Sequence, residues 1–309
     1  MRIVSLLPSA TEIVCALGLG ETIVGVSHEC DFPEDTKTKT KIIEPVFQAE
    51  TLDSRKIDAL IIEHMKQGRS LYRIKIDELS RANPDLIITQ ELCDVCAVDA
   101  DDVREAAKQL GKSVSILTLN PHTLQDVKND ILKVGGVLGR TEEAMNLVVE
   151  LDRKSENIRQ LTRGADTRRV FCAEWLNPLM NAGHWVPEMV ENAGGVDGLA
   201  RGGEPSTYVD WGSVADYDPE ILVLMPCGFT TRRTIAEAEH LLNLKDIRST
   251  RAIREGRVYA TDGHNYFSRS GPRLFDGIGI LAQMIHPELF SEPLDSQLGV
   301  RMEALTAKV

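Results

Sequence analysis

The sequence lacks an apolar run long enough to cross a membrane, and it lacks a surplus of basic residues. Its formal net charge of −12 argues against a general nucleic-acid binder, because affinity for a phosphate backbone comes largely from Lys and Arg. Low-complexity tracts and blocks of one charge are also missing, so long disordered segments are not expected. What remains is a 309-residue chain that is long enough for a substantial core and for two domains.

Sequence signatures of common enzyme classes are missing as well. The chain has no Ser-His-Asp order, no phosphate-binding G-x-x-x-x-G-K and no G-x-G-x-x-G. We therefore predict a protein that binds a small molecule rather than an enzyme.

The chain opens with a pattern typical of a first strand rather than of a secretion signal, whose apolar core is longer. We therefore expect a cytoplasmic protein, and a periplasmic or extracellular one only if a signal has been removed. In a reducing compartment, the six cysteines are expected to be free thiols, metal ligands or redox pairs rather than structural disulfides.

Predicted strands and helices alternate on both sides of a long amphipathic segment. That segment, about Thr141 to Arg163, has apolar residues mostly at helical spacing, with acids early and most bases late. The flanking sequences share a helix, a Pro-acid pair and a buried strand, as in SRANPDLIITQ and VADYDPEILVLMP. The pattern predicts two doubly wound α/β lobes with mostly parallel sheets, joined by one long helix. The predicted limits are 1–138 and 166–309 for the lobes and 139–165 for the helix; one surface helix within a single large domain is the alternative.

The first helix is predicted to follow directly on the opening strand. Ser9 and Glu12 form an S-x-x-E pattern, which predicts a helix whose first turn is capped by Ser9. Gly18 and Gly20 are expected to close this helix. The order of strand, tight loop and helix is typical of an open α/β sheet.

Residues suited to ligand binding collect where the predicted strands end. In open α/β sheets, ligands bind outside the carboxyl ends of the strands, so loops from the two lobes are expected to face one cleft. The candidate ligand-binding residues of these loops are His28, Glu29, Cys30, Glu91, Cys93, Cys96, Glu174, Trp175, His184, Trp185, Cys227, His264, Tyr266 and Arg269.

The aromatic residues among these candidates favour a large, flat ligand. Trp175 and Trp185 are predicted to stack on it, whereas packing in the lobe core fits Trp211 equally well. His184 and His264 are candidates to coordinate a metal centre or to donate to an anionic group. The other interpretation is that they are solvated loop residues without a role in binding. Arg269 is a candidate partner for an acidic substituent of the ligand.

The cysteine-rich loops leave a second kind of chemistry open. Cys93-x-x-Cys96, together with His28 and Cys30, offers the thiolate and imidazole ligands of a tetrahedral zinc or iron site. One C-x-x-C without a second pair is a weak pattern, and thiols that line a pocket or pack in the core are the other interpretation. A redox motif needs a helix that begins at the first Cys, which the following residues do not favour.

Four stretches carry a resemblance to a known family: SLLPSATEIVCALGLGETIVGVSHECDFP, NPDLIIT, MVENAGGVDGL and SRSGPRLFDGIGIL. In this order, and over nearly the whole chain, they resemble the cobalamin-binding subgroup of the substrate-binding proteins of ABC importers, within the iron-siderophore and cobalamin group. The resemblance implies a cobalamin or related corrinoid held between two lobes that are joined by one long helix. It also implies an ABC importer permease as a partner.

In that family each lobe usually offers an acidic residue, seven positions before the Pro of the Pro-acid pair, that docks on the permease. Asp77 matches this position in the first lobe. In the second lobe Gly212 stands there, with Asp210 and Asp216 nearby, so the resemblance implies only half of the docking pair. The cysteine-rich loops look like a branch of the family without an export signal. A cytoplasmic metal-binding or redox protein and a siderophore or haem carrier are the alternative functions.

Overall fold

The computed structural model describes residues 1–90, 100–238, 241, 245–248 and 250–302. The strands are β1 (Ile3–Ser5), β2 (Ile23–Val26), β3 (Ile43–Pro45), β4 (Tyr72–Ile74), β5 (Leu86–Gln90), β6 (Ser115–Leu119), β7 (Arg168–Leu176), β8 (Leu179–Asn181), β9 (Gly195–Val196), β10 (Ile221–Leu224), β11 (Val258–Thr261) and β12 (Gly299–Arg301).

The helices are α1 (Pro8–Ala16), α2 (Ser54–Lys66), α3 (Ile76–Ala82), α4 (Ala100–Lys108), α5 (Leu124–Leu138), α6 (Thr141–Thr162), α7 (Val186–Asn192), α8 (Trp211–Tyr217), α9 (Thr231–Ala238), α10 (Lys245–Arg248), α11 (Arg251–Arg254), α12 (Gly263–Tyr266) and α13 (Leu274–Ile285). Short 3₁₀ turns cover Gly20–Thr22, Glu34–Thr38, Ala49–Thr51 and Pro287–Leu289. Among the helices of the described ranges, none is long and apolar enough to span a membrane.

The chain divides into two compact units. The first consists of Met1–Leu52, Lys56–Pro121 and Gln125–Val149, and the second of Asp53–Arg55, His122–Leu124 and Glu150–Val309. The predicted long helix is present as α6, and the division falls inside it. The predicted domain limits at 138 and 166 stay a prediction.

The sheet of the first unit is fully parallel, in the order β2-β1-β5-β6. Its strand β5 is buried at every position, the pattern of a parallel strand that is covered on both faces. Val4, Leu6 and Ile87 form one apolar cluster with buried residues of α3 and α4. A separate antiparallel pair, β3 and β4, belongs to the same unit.

The sheet of the second unit mixes parallel and antiparallel strands, in the order β12-β11-β10-β7-β8. β7, β10 and β11 are parallel neighbours, whereas β8 and β12 pair antiparallel at the two edges, and β9 pairs parallel with β7. Phe171, Leu222 and Leu224 belong to the apolar cluster on this sheet. The predicted fold class, α/β lobes with mostly parallel sheets, is confirmed.

The predicted internal repeat is present as two matching segments, which we call the helix-Pro-strand motifs: 76–90 in the first unit and 211–224 in the second. In each, a seven-residue helix ends at a residue in the left-handed region, and a Pro, an acid and a buried strand follow. The left-handed residues are Asn83 at φ 45° and Asp218 at φ 48°. Asn and Asp tolerate this conformation better than other non-glycine residues.

An arginine at the start of the first strand of each sheet completes the two motifs: Arg2 directly precedes β1, and Arg169 is the second residue of β7. The carboxylate of Asp85 accepts from the backbone N–H of Arg2 at 2.8 Å, and the carboxylate of Glu220 accepts from that of Arg169 at 3.0 Å. Each arginine also donates from its Nε to a carbonyl at the end of the motif helix: Arg2 to Ala82 at 2.9 Å and Arg169 to Asp218 at 3.1 Å. The two motifs therefore share hydrogen bonds as well as sequence.

The predicted cap of the first helix, Ser9, is wrong by two residues. α1 begins at Pro8, and Leu7 at the capping position makes no side-chain cap bond. Proline fits the first helical position because the N–H it lacks has no partner there. Ser9 and Glu12 both lie inside the helix, so Ser9 is not at the capping position that a capping box requires.

Candidate functional site

In the second unit, three parallel strands bring their carboxyl ends to one edge of the sheet, which we call the second-unit edge. The backbone N–H of Cys227 donates to the carbonyl of Glu174 at 2.9 Å, which ties the segment after β10 to the end of β7. The N–H of His264 donates to the carbonyl of Phe229 at 3.1 Å, which ties in the segment after β11. Glu174, Cys227 and His264, predicted from three separate loops, therefore lie close together.

Trp175 lies at this edge, where it is half-buried and is the residue before the last of β7. Its indole N–H donates to the carbonyl of Ser54 at 3.2 Å. The ring of Phe229 meets the indole edge-on with centroids 5.4 Å apart, and the guanidinium of Arg233 lies 3.7 Å from the centroid of that phenyl ring. These contacts fix the orientation of the indole, as a stacking platform requires. Phe229, which the sequence analysis did not select, is part of the same aromatic group.

The segment after β11 holds a buried cation beside an imidazole. Asp262 caps α12 by accepting from the backbone N–H of Asn265 at 2.9 Å. A guanidinium nitrogen of Arg269 contacts the Nε2 of His264, and Arg269 is only 7% exposed. Since a guanidinium only donates, this Nε2 is the acceptor of the contact. Tyr266 is half-buried, with the guanidinium of Arg273 5.8 Å from its ring centroid.

His184 and Trp185 lie before α7 in the second unit and differ in exposure. His184 has a left-handed backbone at φ 52°, and its ring stacks on that of His122 with centroids 5.7 Å apart. Burial, and then the neighbouring His122, lower the pKa of His184, so it is neutral near pH 7. Trp185 is 5% exposed and its indole N–H donates to the carbonyl of Phe267 at 2.7 Å. This placement fits core packing better than the predicted stacking on a ligand.

In the first unit, the predicted residues that follow β2 separate into half-buried and buried groups. His28 and Glu29 are half-buried and contact each other, with Nε2 and Oε1 3.3 Å apart. The ring of Tyr72 lies near that of His28 at 5.5 Å between centroids, a neighbour that sequence reasoning missed. Cys30 is 1% exposed, and its Sγ lies 3.1 Å from the Oγ1 of Thr11. Its thiol therefore packs inside the first unit and does not line an open wall.

The predicted zinc or iron site rests mainly on residues outside the described ranges. Glu91, Cys93 and Cys96 all fall in the segment 91–99, which the structure does not describe. In the described part of the chain, no three His, Cys, Asp or Glu side chains are grouped so that they could hold a metal. Burial raises the pKa of the Cys172 thiol well above its ordinary value, which keeps that sulfur protonated. Cys227, half-buried, is the described cysteine at the second-unit edge.

The predicted docking residue and its counterpart have different surroundings. Asp77 lies in the first turn of α3 and is exposed. Gly212 occupies the matching position of α8, and the nearby Asp210 caps that helix. The carboxylate oxygens of Asp210 accept from the backbone N–H and the hydroxyl of Ser213, each at 2.9 Å, and these bonds lower its pKa. One exposed carboxylate therefore stands at the predicted docking positions, in the first unit.

Comparison with known proteins gives a consistent result over nearly the whole chain. Residues 3–264 match the family described as "Periplasmic binding protein". An uncharacterized ABC transporter substrate-binding lipoprotein, YvrC of Bacillus subtilis, is 24% identical over 94% of this chain and 82% of its own length. The vitamin B12-binding protein of Vibrio cholerae is 23% identical over 90% of this chain and 86% of its own. The periplasmic heme-binding protein RhuT of Roseiflexus sp. RS-1 superposes with a TM-score of 0.69 at 21% identity, over 94% of this chain and 99% of the other.

Proposed function

Because the chain belongs to the periplasmic binding protein family, we propose that it binds a cobalamin or a related corrinoid as a substrate-binding protein of the ABC-transporter type. The observation that supports this ligand most strongly is the match of most of the chain to vitamin B12-binding proteins. The known relatives are substrate-binding transport proteins rather than enzymes. A binding role agrees with the aromatic, polar and cationic side chains at the second-unit edge.

The chemistry of the second-unit edge suits a corrinoid, a large and mostly flat macrocycle with amide-bearing side chains. Trp175, held by its bond to Ser54 and by Phe229, offers a fixed aromatic surface for the macrocycle. Glu174 and His264 offer polar groups for the amides, and the cation of Arg269 is held behind the imidazole. The ligand would therefore be oriented by a few polar contacts around one apolar surface, as small-molecule sites usually are.

A protein ligand to the cobalt is a further part of this proposal. Imidazole and thiolate both coordinate cobalt. At the second-unit edge, the Nε2 of His264 already accepts from Arg269, whereas the thiol of Cys227 is half-buried. Cys227 is therefore the better candidate, and coordination by it would shift the corrinoid absorption bands.

The proposal is tested by titrating the reduced protein with hydroxocobalamin, followed by the corrinoid absorption bands and by retention on dialysis. We expect one-to-one binding that Trp175→Leu weakens about tenfold, since an aromatic contact and its buried area are lost. Trp211→Leu is the matched control, because Trp211 is also half-buried but packs on the core cluster of the second unit. A Cys227→Ala variant that binds with unshifted bands would assign the cobalt ligand.

Two outcomes would contradict the proposal. If no hydroxocobalamin is retained, the corrinoid proposal fails, whereas the family and the fold stand. Tighter binding of haemin or of a ferric siderophore in the same assay would favour the alternative carrier. Near-stoichiometric zinc or iron in the purified protein, lost in a Cys93→Ala, Cys96→Ala double variant, would instead favour the metal-binding alternative.

The permease and the location are further proposals. An ABC importer permease is the partner that the family implies, and we propose that Asp77 contributes an exposed carboxylate to docking on its arginines. Asp77→Lys is expected to abolish ligand delivery to the permease in vesicles while leaving ligand binding unchanged. Docking on an importer requires the protein outside the cytoplasmic membrane, whereas a cytoplasmic derivative of the family would not meet the permease. The cytoplasmic location stays a prediction, and fractionation of the native cells with an antibody to this chain decides between the two.

A further inference from the structure

An arginine-lined pocket of about 630 Å³ lies in the second unit, at the opposite ends of the strands from the second-unit edge. Its charged lining consists of Arg168, Arg251, Glu255, Arg257, Glu288 and Arg301. Arg168 is the first residue of β7, and Arg257 directly precedes β11. Arg301 ends the antiparallel strand β12, so it too lies at the amino-terminal side of the parallel strands. None of these residues belongs to the proposed corrinoid site.

The charge of this lining is opposite to that of the whole chain. Four guanidinium groups face two carboxylates, whereas the protein as a whole carries a formal charge of −12. A concave, positively charged surface on an acidic protein concentrates anions locally. The lining of the pocket therefore differs in the sign of its charge from the chain as a whole.

The excess positive charge belongs mainly to two of the arginines. Arg168 and Arg251 are each paired with a carboxylate at 2.7 Å, those of Glu288 and Glu255, and Arg251 also contacts the carboxylate of Glu220 at 2.9 Å. Arg257 makes a longer contact of 3.5 Å to Glu255. Arg301 donates to backbone carbonyls at 2.5 and 3.1 Å, and such bonds orient its guanidinium without neutralising it.

A buried tyrosine in the lining of the pocket offers a hydroxyl donor. Tyr259 lies in β11, pairs with Arg301 in the β11–β12 register and is 6% exposed. Burial raises the pKa of this phenol, so the hydroxyl keeps its proton and can donate. Because Tyr259, Arg168 and Arg301 stand on strands of one sheet, these donors are held in place before any ligand arrives.

We propose that this pocket binds a small, multiply charged phosphate-type anion, such as inorganic phosphate, pyrophosphate or the phosphate group of a small metabolite. Guanidinium groups match phosphate oxygens in pairs of parallel hydrogen bonds. Three carboxylates, those of Glu220, Glu255 and Glu288, contact arginines of the lining, so with four arginines the surplus charge at the pocket is positive and attracts an anion. The pocket volume exceeds that of a single phosphate, which leaves space for a further phosphate or an attached organic group.

The test is a calorimetric titration of the full chain with pyrophosphate and with inorganic phosphate, at an ionic strength held constant with sodium chloride. We expect one saturable site, with the affinity for pyrophosphate reduced about tenfold in Arg257→Gln. Arg159→Gln is the matched control, because Arg159 is an exposed arginine of α6 that contacts Glu156 at 3.4 Å. The same charge is removed in both variants, so only a loss confined to Arg257→Gln supports the pocket.

Circular dichroism and thermal unfolding check that the variants are folded. If Arg257→Gln does not fold, hydrogen exchange of the wild-type protein takes its place, with pyrophosphate expected to slow exchange in residues 251–259. Absence of a saturable site, an equal loss in Arg159→Gln, or unchanged exchange in 251–259 would overturn the proposal. Tighter binding of citrate than of pyrophosphate would overturn the phosphate assignment. Hydroxocobalamin binding is measured separately, so either proposal can fail alone.

Discussion

The two helix-Pro-strand motifs share one backbone plan and differ in their surroundings. In the first unit, the side chain of Asp85 is 50% exposed and lies 3.4 Å from the Nζ of Lys112. In the second, the side chain of Glu220 is 15% exposed and lies 2.9 Å from a guanidinium nitrogen of Arg251. The same local sequence pattern therefore specifies the same hydrogen bonds, while burial decides how much each bond contributes to stability.

The two units also differ in how they use a carboxylate near the start of the motif helix. Asp77 is exposed in the first turn of α3, whereas both oxygens of Asp210 are engaged in capping α8 through Ser213. A carboxylate close to a helix start is thus available to a partner in one unit and is part of the helix cap in the other. Sequence position alone does not separate these two roles.

The largest effect expected from comparing the units concerns two buried carboxyl groups, Asp130 in the first and Asp197 in the second. Burial raises the pKa of each from 3.8 to about 6. Such a carboxyl has a higher pKa in the folded protein than in the unfolded chain. Its contribution to stability is fully present below about pH 4 and is lost as the pH rises through about 6. Relative to an Asn variant, we expect the wild-type free energy of unfolding to fall by on the order of 2–3 kcal/mol over this interval, measured by urea unfolding.

The two Asn variants are expected to differ from each other. Asp197 accepts from the backbone N–H groups of Cys172 and Leu199 at 3.1 and 3.0 Å, whereas the Oδ2 of Asp130 has no hydrogen-bond partner in the described chain. Asp130→Asn should therefore stabilise the protein at pH 8. Asp197→Asn should destabilise it, because the new NH₂ group would face a backbone N–H. Equal effects of the two substitutions would contradict this distinction.

A smaller effect is expected from removing the acid of each helix-Pro-strand motif. Glu220→Ala leaves the N–H of Arg169 and the charge of Arg251 without this partner, and we expect it to lower the free energy of unfolding by about 2 kcal/mol. Asp85→Ala, the matched change at an exposed site, should cost clearly less. Chemical denaturation of both variants measures the difference, and a cost for Asp85→Ala as large as that for Glu220→Ala would refute the role of burial.

The carboxylates near the motif helices give a third comparison. Asp210→Ala removes the cap of α8 and should lower the midpoint of thermal unfolding. Asp77→Ala removes an exposed carboxylate and should leave the midpoint unchanged. If Asp77→Ala also lowers it, Asp77 has a structural role, and the docking proposal loses its basis.

The smallest effect is expected at the left-handed residues. Asn83→Gly relieves an unfavourable φ at an exposed position and should raise the free energy of unfolding by about 0.5 kcal/mol. Asp218→Gly relieves the same strain but removes a carboxylate that accepts from the backbone N–H of Arg251 at 2.7 Å, so it should not stabilise. Equilibrium unfolding in urea distinguishes the two, and stabilisation by both would contradict the role given to Asp218.

Much of the fold follows from the sequence because its central strands are continuous apolar runs bounded by strong breakers. β5 and β10 follow Pro-acid pairs and are buried throughout, so their position and type are readable locally. β8 and β12 have three residues each and no apolar run, and their pairing depends on distant partners. The start of α1 was misjudged because Pro8 supplies a first helical residue without any side-chain cap.

The candidate site was predictable in its location and less so in the exposure of its members. Strand ends indicated the segments that hold Glu174, Cys227 and His264, and backbone hydrogen bonds bring these together. The burial of Trp185 depends on the carbonyl of Phe267, 82 residues away, which no local pattern reveals. Cys30 is likewise removed from the surface by its contact with Thr11 on α1.

The position of β12 in the chain has a consequence for synthesis on the ribosome. The parallel sheet of the first unit is complete once Leu119 has emerged, so it can form while the second unit is still being made. β11 obtains its outer neighbour only with Gly299–Arg301, which follow it along the chain after α12 and α13. Until then its edge stays open to pairing with another nascent chain. Chaperone dependence should therefore concentrate in the interval between the synthesis of β11 and that of β12, and the arginine-lined pocket, which needs Arg301, is completed at the end of that interval.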